Sequence, residues 1–242
     1  MIFDIVTDFL FPKVCIICNT YGSFICKTCF NQIKFIEGAR CPKCSIPYPY
    51  DEVSHLCIKC IKQKRSFDKL VSLFSYEGYG KIIIEKIKFS GYWSALEALS
   101  EKIIERFEID ETDNINSIYT FSRHPEFDFI TYVPTTNRRL IEKNYNLPKK
   151  IAKFLGKLLK KPVVCSITKV RETERQMNLP LNERENNLRG AFSKKVEAKG
   201  KSIILVDDIA TTCATVDECS KTLKKAGAEY VLVFTLARTP KF

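Results

Sequence analysis

The run Ser202-Ile203-Ile204-Leu205-Val206-Asp207-Asp208-Ile209-Ala210-Thr211-Thr212-Cys213-Ala214-Thr215 constrains this chain more than any other stretch of its 242 residues. Four consecutive aliphatic residues read as a strand buried on both faces, as in a parallel sheet. A pair of acids stands at its carboxyl end, small residues and hydroxyls form a loop, and a helix opens at about Thr215. Backbone N–H groups of such a loop and of the first helical turn converge on one spot, where the helix dipole also favours an anion. Asp207 and Asp208 repel phosphate but accept hydrogen bonds from sugar hydroxyls. A phosphate cradle beside paired acids suits a sugar phosphate, held in the crevice at the strand ends of an open α/β sheet.

A second constraint lies at the other end. Eight of the eleven cysteines fall as Cys15/Cys18, Cys26/Cys29, Cys41/Cys44 and Cys57/Cys60. A CxxC knuckle sets two thiolates on one side of a tight turn, and two knuckles complete a tetrahedral four-cysteine zinc site, so four pairs predict two structural zinc ions. The sequential pairing puts Cys15, Cys18, Cys26 and Cys29 on one ion and Cys41, Cys44, Cys57 and Cys60 on the other; an interleaved cross-brace uses the same spacings. A small segment with few bulky apolar residues needs such staples. His55 reads as a surface residue, because eight thiols already fill two sites.

A polar stretch from Lys62 to Ser66 marks the expected boundary between an N-terminal module, residues 1–66, and a larger unit, residues 67–242. In the larger unit Lys69–Tyr76 reads as a strand and Tyr79–Phe89 and Ser94–Phe107 as helices. Residues 109–126 read as a long acidic loop. Phe127–Val133 is an expected strand, Asn146–Lys160 a helix, Pro162–Ile167 a strand and Asn182–Leu188 a short helix. Thr215–Ala226 is an expected helix stopped by Gly227, and Glu229–Leu236 the last strand. Strands alternating with helices predict an α/β fold, a parallel sheet with helices on both faces. Ile2, Ile5, Val6, Phe9 and Leu10 fit one helical face ended by Pro12.

The formal charge is +11, and residues 131–202 carry 18 Lys and Arg against 6 Asp and Glu. Such a field attracts a diphosphate or a nucleic-acid backbone. Lys149, Lys150, Lys153, Lys157, Lys160 and Lys161 fit a solvated helix face equally well. Ionised four-thiolate zinc sites would bring the basic N-terminal module close to neutral, which makes it a poor polyanion surface. No apolar run is long enough to span a bilayer, the first eleven residues lack the basic leader of a secretory signal, and reduced thiols suit the cytoplasm. The expected location is therefore cytoplasmic, without membrane insertion.

The Asp207–Thr215 stretch resembles the 5-phosphoribosyl-diphosphate (PRPP) loop of type I phosphoribosyltransferases. The resemblance implies that Asp207 and Asp208 hold ribose hydroxyls while Ala210, Thr211, Thr212, Cys213, Ala214 and Thr215 hold the 5′-phosphate. Cys213 stands where that family usually has Gly, and a side chain there would crowd the phosphate. Along nearly its whole length the chain resembles the ComF family of competence-associated proteins, a double zinc ribbon followed by a type I phosphoribosyltransferase-like domain. The matching pieces are Leu10-Phe11-Pro12, Phe67-Asp68, Tyr76-Glu77-Gly78, Lys88-Phe89, Val133-Pro134, Arg138-Arg139-Leu140, Gln176, Asn187 to Phe192 and the phosphate loop. The family's R-G-F-N-Q-like segment is here Lys143-Asn144-Tyr145-Asn146-Leu147.

Related transferases bind pyrophosphate at the turn that corresponds to Pro134, Thr135 and Thr136, with Arg138 and Arg139 as suitable bidentate partners. Residues 169–189 resemble a mobile loop from which Arg171, Arg175, Arg184 and Arg189 would stabilise departing pyrophosphate; surface ion pairs with neighbouring glutamates explain each Arg equally well. The resemblance implies PRPP with Mg2+ as ligand and single-stranded DNA as partner, tracked by the basic 131–202 segment with Tyr132, Tyr145 and Phe192 as candidate stacking residues, although aromatic residues in such places more often belong to the core. Two other functions stay open. One is a transferase acting on a nitrogen nucleophile, its site covered by residues 109–126 or by the zinc module, since the last strand lies six residues from the end. The other is an adaptor whose zinc ribbons dock a competence helicase. At a helix N-terminus a Cys213 thiolate would be favoured, which makes a redox-sensitive site conceivable; a plain small-residue substitution is the commoner reading.

Overall fold

The computed structural model describes residues 12–48, 53–112, 126–135, 145–171 and 187–240, with the side chains of 108–112 left aside. The expected N-terminal helix, most of the 109–126 stretch, and Thr136, Arg138, Arg139, Arg175, Gln176 and Arg184 lie outside these residues. In chain order the described elements are α1 (Lys27–Phe30), α2 (Ile58–Lys62), β1 (Lys69–Ser75), α3 (Gly78–Ser90), α4 (Ser94–Ala98) and α5 (Ser100–Thr112), followed by β2 (Phe129–Tyr132), α6 (Leu147–Leu158), β3 (Ile167–Lys169), β4 (Phe192–Lys194), β5 (Ser202–Ala210), α7 (Ala214–Lys225) and β6 (Tyr230–Arg238).

Strands β1, β6, β5 and β2 form a parallel sheet in that order. Alternation along the central strands divides the core. Ile204, Val206, Leu232 and Phe234 face α3 to α6, where Ile83, Ile84, Ile87 and Leu155 cover them. Ile203, Leu205, Val231 and Val233 face α7 and the small β3–β4 layer. Aliphatic strands buried on both faces, joined by crossover helices, are what a parallel sheet requires. The expected α/β class with an N-terminal double zinc ribbon is the observed one.

Four local expectations are corrected. The predicted helix Ser94–Phe107 breaks at Leu99 into α4 and α5, and α5 runs on to Thr112, four residues into the expected acidic loop. Residues 162–166 make only a single bridge, Val163 to Ile130. The strand instead comes one turn later as β3, antiparallel to β4, a pairing without alternation strong enough to read. The last strand reaches Arg238, two residues past its expected end, and that extension proves decisive for the site.

The N-terminal cysteine module closes the sheet. Strand β1 is its edge, and an open edge invites pairing. Ile36 N–H donates to Leu73 O at 3.0 Å, Ser75 N–H to Lys34 O at 2.9 Å and Leu70 N–H to Lys43 O at 2.9 Å. Cys15, Cys29 and Ile33 join the core on one face of the sheet, while Cys41, Cys44 and Ile46 join the core on the other. The two knuckle pairs therefore straddle the β1 edge. Helix α3 presses close against it at Gly80, where a Cβ would stand 2.4 Å from Ser75 O. Gly227, the expected helix stop, has φ of +94°, with a built Cβ only 2.9 Å from Lys199 Cα.

Candidate sugar-phosphate site and zinc centres

Strand β5 delivers the acid pair to the carboxyl end of the sheet, and Thr211 to Cys213 turn the chain into α7. The first N–H groups of an α-helix have no intrahelical acceptor, and those not capped within the loop are directed toward an anion. Thr212 Oγ1 accepts the Ala214 N–H at 3.3 Å, while Thr211 and Thr215 remain partly open to solvent. On the neighbouring strand Tyr132 pairs in register with Val206, and Val133 N–H donates to Val206 O at 2.9 Å. The Pro134-Thr135 turn thus leaves the sheet beside Asp207. The fold brings together these two sequence-predicted pieces, about 70 residues apart, at one rim.

Asp207 Oδ1 accepts the Asp208 N–H at 2.9 Å, and Asp208 Oδ1 accepts the Ile209 N–H at 2.8 Å. Burial, and then the adjacent Asp208 charge, hold the Asp207 carboxyl well above the usual carboxylate range. Asp208 is held by Lys88 of α3, whose Nζ lies 3.1 Å from Asp208 Oδ2. Burial works against the Lys88 charge, but Asp208 and Asp207 outweigh it and keep the ammonium above its ordinary value. Tyr76 and Tyr145 stand close enough to feel the same charges; burial, with Asp208 adding, raises both phenols. Tyr145 meets Trp93 edge-on with centroids 5.4 Å apart, and Lys150 Nζ lies 4.2 Å from the Trp93 centroid. The rim therefore presents one buried acid, one acid compensated by Lys88, and an aromatic wall.

The back of the loop is braced by two arginines. Arg238, 2 % exposed, donates from Nε to Cys44 O at 3.0 Å and from one terminal nitrogen to Ala210 O at 2.7 Å and to Thr211 O. Its other terminal nitrogen approaches Cys44 Sγ at 3.9 Å. Arg65, in the expected linker, donates to Thr212 O at 3.2 Å and pairs with Asp217 at 3.8 Å. The linker is thus packed against the loop. One guanidinium ties the 210–212 loop to a cysteine knuckle and a second ties it to the segment that follows the knuckles.

Cys213 sits between these braces with φ of +66°, the left-handed conformation that glycine adopts without cost. Its side chain is buried in the cluster that contains Cys41, Cys44 and Ala210, on the zinc-module side. Two expectations change. The thiol does not crowd the solvent-facing cradle, and burial pushes its pKa up to about 11, so it is a protonated core thiol rather than a thiolate. Cys213→Gly relieves the left-handed strain and leaves the front of the loop unchanged. Calorimetry should show PRPP affinity preserved or strengthened, and a weakened affinity would mean that the thiol supports the cradle.

The sulfurs of Cys15, Cys18, Cys26 and Cys29 lie within 4.8 Å of one another, as do those of Cys41, Cys44, Cys57 and Cys60. Two closed sets of four thiols fit tetrahedral zinc with no open position, the arrangement of a structural site. Cys26 N–H reaches Cys15 Sγ at 3.4 Å and Cys57 N–H reaches Cys41 Sγ at 3.4 Å, bonds that orient the ligands. The pairing is sequential. His55 belongs to neither set and stacks on Tyr48 at 4.2 Å.

Arg171 donates to Asn187 O at 2.8 Å and to Arg189 O at 3.1 Å, which engages it at the base of the 172–186 segment. Tyr132 and Phe192, expected as stacking residues, are core residues 8 % exposed. Lys149, Lys150, Lys153 and Lys157 form the exposed face of α6, whose other face buries Ile151, Ala152 and Leu155. The residues that sequence reading misses are Lys88, Arg65 and Arg238. A lone cation at the end of an otherwise apolar strand is the available signal for Arg238.

A double zinc ribbon domain family matches residues 6–61. The chain is 30% identical over 218 residues to "Competence protein F" of Haemophilus influenzae, covering 88% of this chain and 90% of that protein. It is 27% identical over 238 residues to "DNA utilization protein YhgH" of Escherichia coli, covering 94% and 98%, and 26% identical to "Competence protein ComFC" of Bacillus subtilis, covering 89% and 84%. Among solved structures, the glutamine PRPP amidotransferase from B. subtilis complexed with ADP and GMP matches at a TM-score of 0.32 and 24% identity, over 46% of this chain and 22% of that one. Among the described residues no helix is long and apolar enough to cross a membrane.

Proposed function

The chain belongs to the competence protein F family, and on that premise we propose that it is a DNA-utilization protein of natural transformation that binds PRPP or a related sugar phosphate, with Mg2+, at the Asp207–Thr215 rim and handles single-stranded DNA on a basic surface. The observation that carries the sugar-phosphate half is the turn from β5 into α7. It combines the N–H groups at the start of a helix, a left-handed Cys213 and an acid pair at one strand end. In this reading the N–H groups of the loop and first turn take the 5′-phosphate. Asp208, fixed by Lys88, accepts from one ribose hydroxyl, and Asp207, protonated or ionised, exchanges a hydrogen bond with the other. Mg2+ would be held mainly by diphosphate and ribose oxygens. The second zinc knuckle braces the loop from behind through Arg238 and takes no part in sugar-phosphate binding.

The burial of the Cys213 side chain favours a second reading, a competent transferase, because the cradle is left open. The bond between C1′ and the diphosphate oxygen would break with both electrons leaving on pyrophosphate, and a nitrogen nucleophile would form the new bond to C1′ and lose its proton. Calorimetric titration of the zinc-loaded protein with PRPP and Mg2+ tests the shared premise. Micromolar binding is expected, and absence of heat at millimolar PRPP would overturn both readings. Release of pyrophosphate on addition of an amine would favour turnover.

A further inference from the structure

Three segments that look unremarkable in sequence meet in one open groove of about 710 Å3, away from the acid pair. The second cysteine knuckle contributes Lys43, the following segment Lys64 and Arg65, and the outer face of α7 Lys221, Lys224 and Lys225. Against these six cations the lining holds Asp68 and Cys60, whose zinc site carries about two negative charges when all four thiols are ionised. The positive excess survives.

Two of the six are committed to holding the fold. Arg65 pairs with Asp217 and the loop carbonyl of Thr212, and Lys224 pairs with Asp68 at 2.6 Å. Lys221 lies 4.0 Å from Glu218 on the same helix. Among the described residues, Lys43, Lys64 and Lys225 have no carboxylate within ion-pair distance, and Lys43 Nζ rests 5.6 Å from the centroid of the buried Phe67 ring. Helix-dipole compensation accounts for cations in the last turn of α7, but not for Lys43 and Lys64, which arrive from another part of the chain.

We propose that this groove, between the second zinc knuckle and the outer face of α7, is where the protein tracks the phosphate backbone of single-stranded nucleic acid. The assignment rests on the DNA-handling half of the proposed function and gives it a location. At about 710 Å3 the groove is larger than a single phosphate needs, and its cations come from three separate segments of the chain. A linear polyanion matches that distribution. Among the described residues no aromatic side chain lines it, so recognition is of the backbone and independent of base sequence. The surface also differs from the one that charge counting selects. Residues 131–202 hold the largest excess, yet the groove draws on segments outside that window. The groove shares no lining residue with the acid pair or the 210–215 loop and meets that loop only from behind, through Arg65 on Thr212 O and Ser66 on Asp217, so nucleic acid and sugar phosphate occupy separate surfaces.

The test uses the zinc-loaded full chain, a fluorescein-labelled oligo-dT of about 30 nucleotides, a length beyond the site of one binding module, and anisotropy across a salt series. Replacing Lys43, Lys64, Lys221 and Lys225 together with Gln should weaken binding at least tenfold. The slope of log K against log salt should become shallower by about 3, at roughly 0.7 for each phosphate no longer neutralised. Zinc content and PRPP titration should stay at wild-type values, with or without oligonucleotide. If the fourfold variant does not fold, the exposed pair Lys64→Gln with Lys225→Gln should still reduce the slope by about 1.4 on the same scale. Wild-type protein that binds no oligonucleotide would overturn the DNA-handling reading and the groove with it. Wild-type binding that these variants leave unchanged would overturn the groove alone. Loss of inorganic tripolyphosphate binding with oligonucleotide binding intact would assign the groove to a small polyphosphate instead, and would also overturn the proposal.

Discussion

Replacing Asp207 and Asp208 together with Ala is expected to reduce PRPP affinity by at least a hundredfold while leaving two zinc ions per chain. Each carboxylate offers hydrogen bonds to a ribose hydroxyl, and bonds to charged groups contribute about 1.5–3 kcal/mol apiece, so loss of both exceeds two decades in affinity. The zinc sites draw on none of these atoms. Unchanged PRPP affinity would remove the ribose assignment. Stability should move in the opposite sense for one member of the pair. The folded-state pKa of Asp207 is raised by burial and by Asp208, so the folded protein binds the proton more tightly than the unfolded chain. Its stabilising contribution is therefore complete below the unfolded value, near 3.8, and is lost as pH rises through the higher folded value. Asp207→Asn removes that loss. Thermal melts from acid to neutral pH should show the variant gaining on the wild type as pH rises. A constant difference across that range would mean that Asp207 titrates normally.

Arg238→Met should be the most damaging substitution outside the acid pair and the cysteines. The guanidinium satisfies the carbonyls of Cys44, Ala210 and Thr211 from a position 2 % exposed. Methionine fills much of the volume but donates nothing; Ala210 O keeps the Thr239 N–H, while the carbonyls of Cys44 and Thr211 lose this donor, at about 1–3 kcal/mol for each acceptor left unpaired. A total of about 3–5 kcal/mol corresponds to a fall in Tm on the order of 10 °C for a chain of this size. Because one side chain holds both the phosphate loop and the second knuckle, PRPP affinity and retention of that zinc against a chelator should fall together. Arg238→Lys keeps the charge but lacks the fork that reaches three carbonyls, and should recover only part of either property. Loss of PRPP binding with the second zinc held as firmly as in the wild type would show that the brace serves the loop alone.

The elements legible in the sequence are those whose logic is local. A CxxC pair needs only one turn, and the sequential assignment of four pairs to two sites has the observed partners. The strand, acid pair, loop and helix from Ser202 to Lys225 are legible nearly residue for residue, because they are contiguous. Sequence reading fails where a side chain answers to something distant. Cys213 looks like an obstacle and a reactive thiol in the sequence. Its backbone takes the left-handed turn that glycine would take, and its sulfur points into a core contributed by residues about 170 positions earlier. For Tyr132 and Phe192 the sequence leaves a stacking role and the commoner core role both open, and burial of the short strands that carry them decides for the core. The break at Leu99 follows no helix-stop residue, and the β3–β4 pair escapes reading because strands of three residues leave almost no periodic signal.

By itself, then, the sequence determined the parallel α/β class, the two four-cysteine sites and the strand, acid pair, loop and helix from Ser202 to Lys225, since each is written in local windows of about twenty residues or in their simple alternation, the scale on which hydrophobic period and turn chemistry operate. Only the tertiary structure decided how those modules serve one another. Lys88 reaches Asp208 across 120 residues, Arg65 reaches Thr212 across 147, and Arg238 reaches Cys44 across 194. The cationic groove likewise exists only after residues near 43, 64 and 221 have been folded together. A charged side chain gains no stable partner until packing removes water from around it and fixes the opposing group, and that pairing is a property of the assembled sheet rather than of any segment.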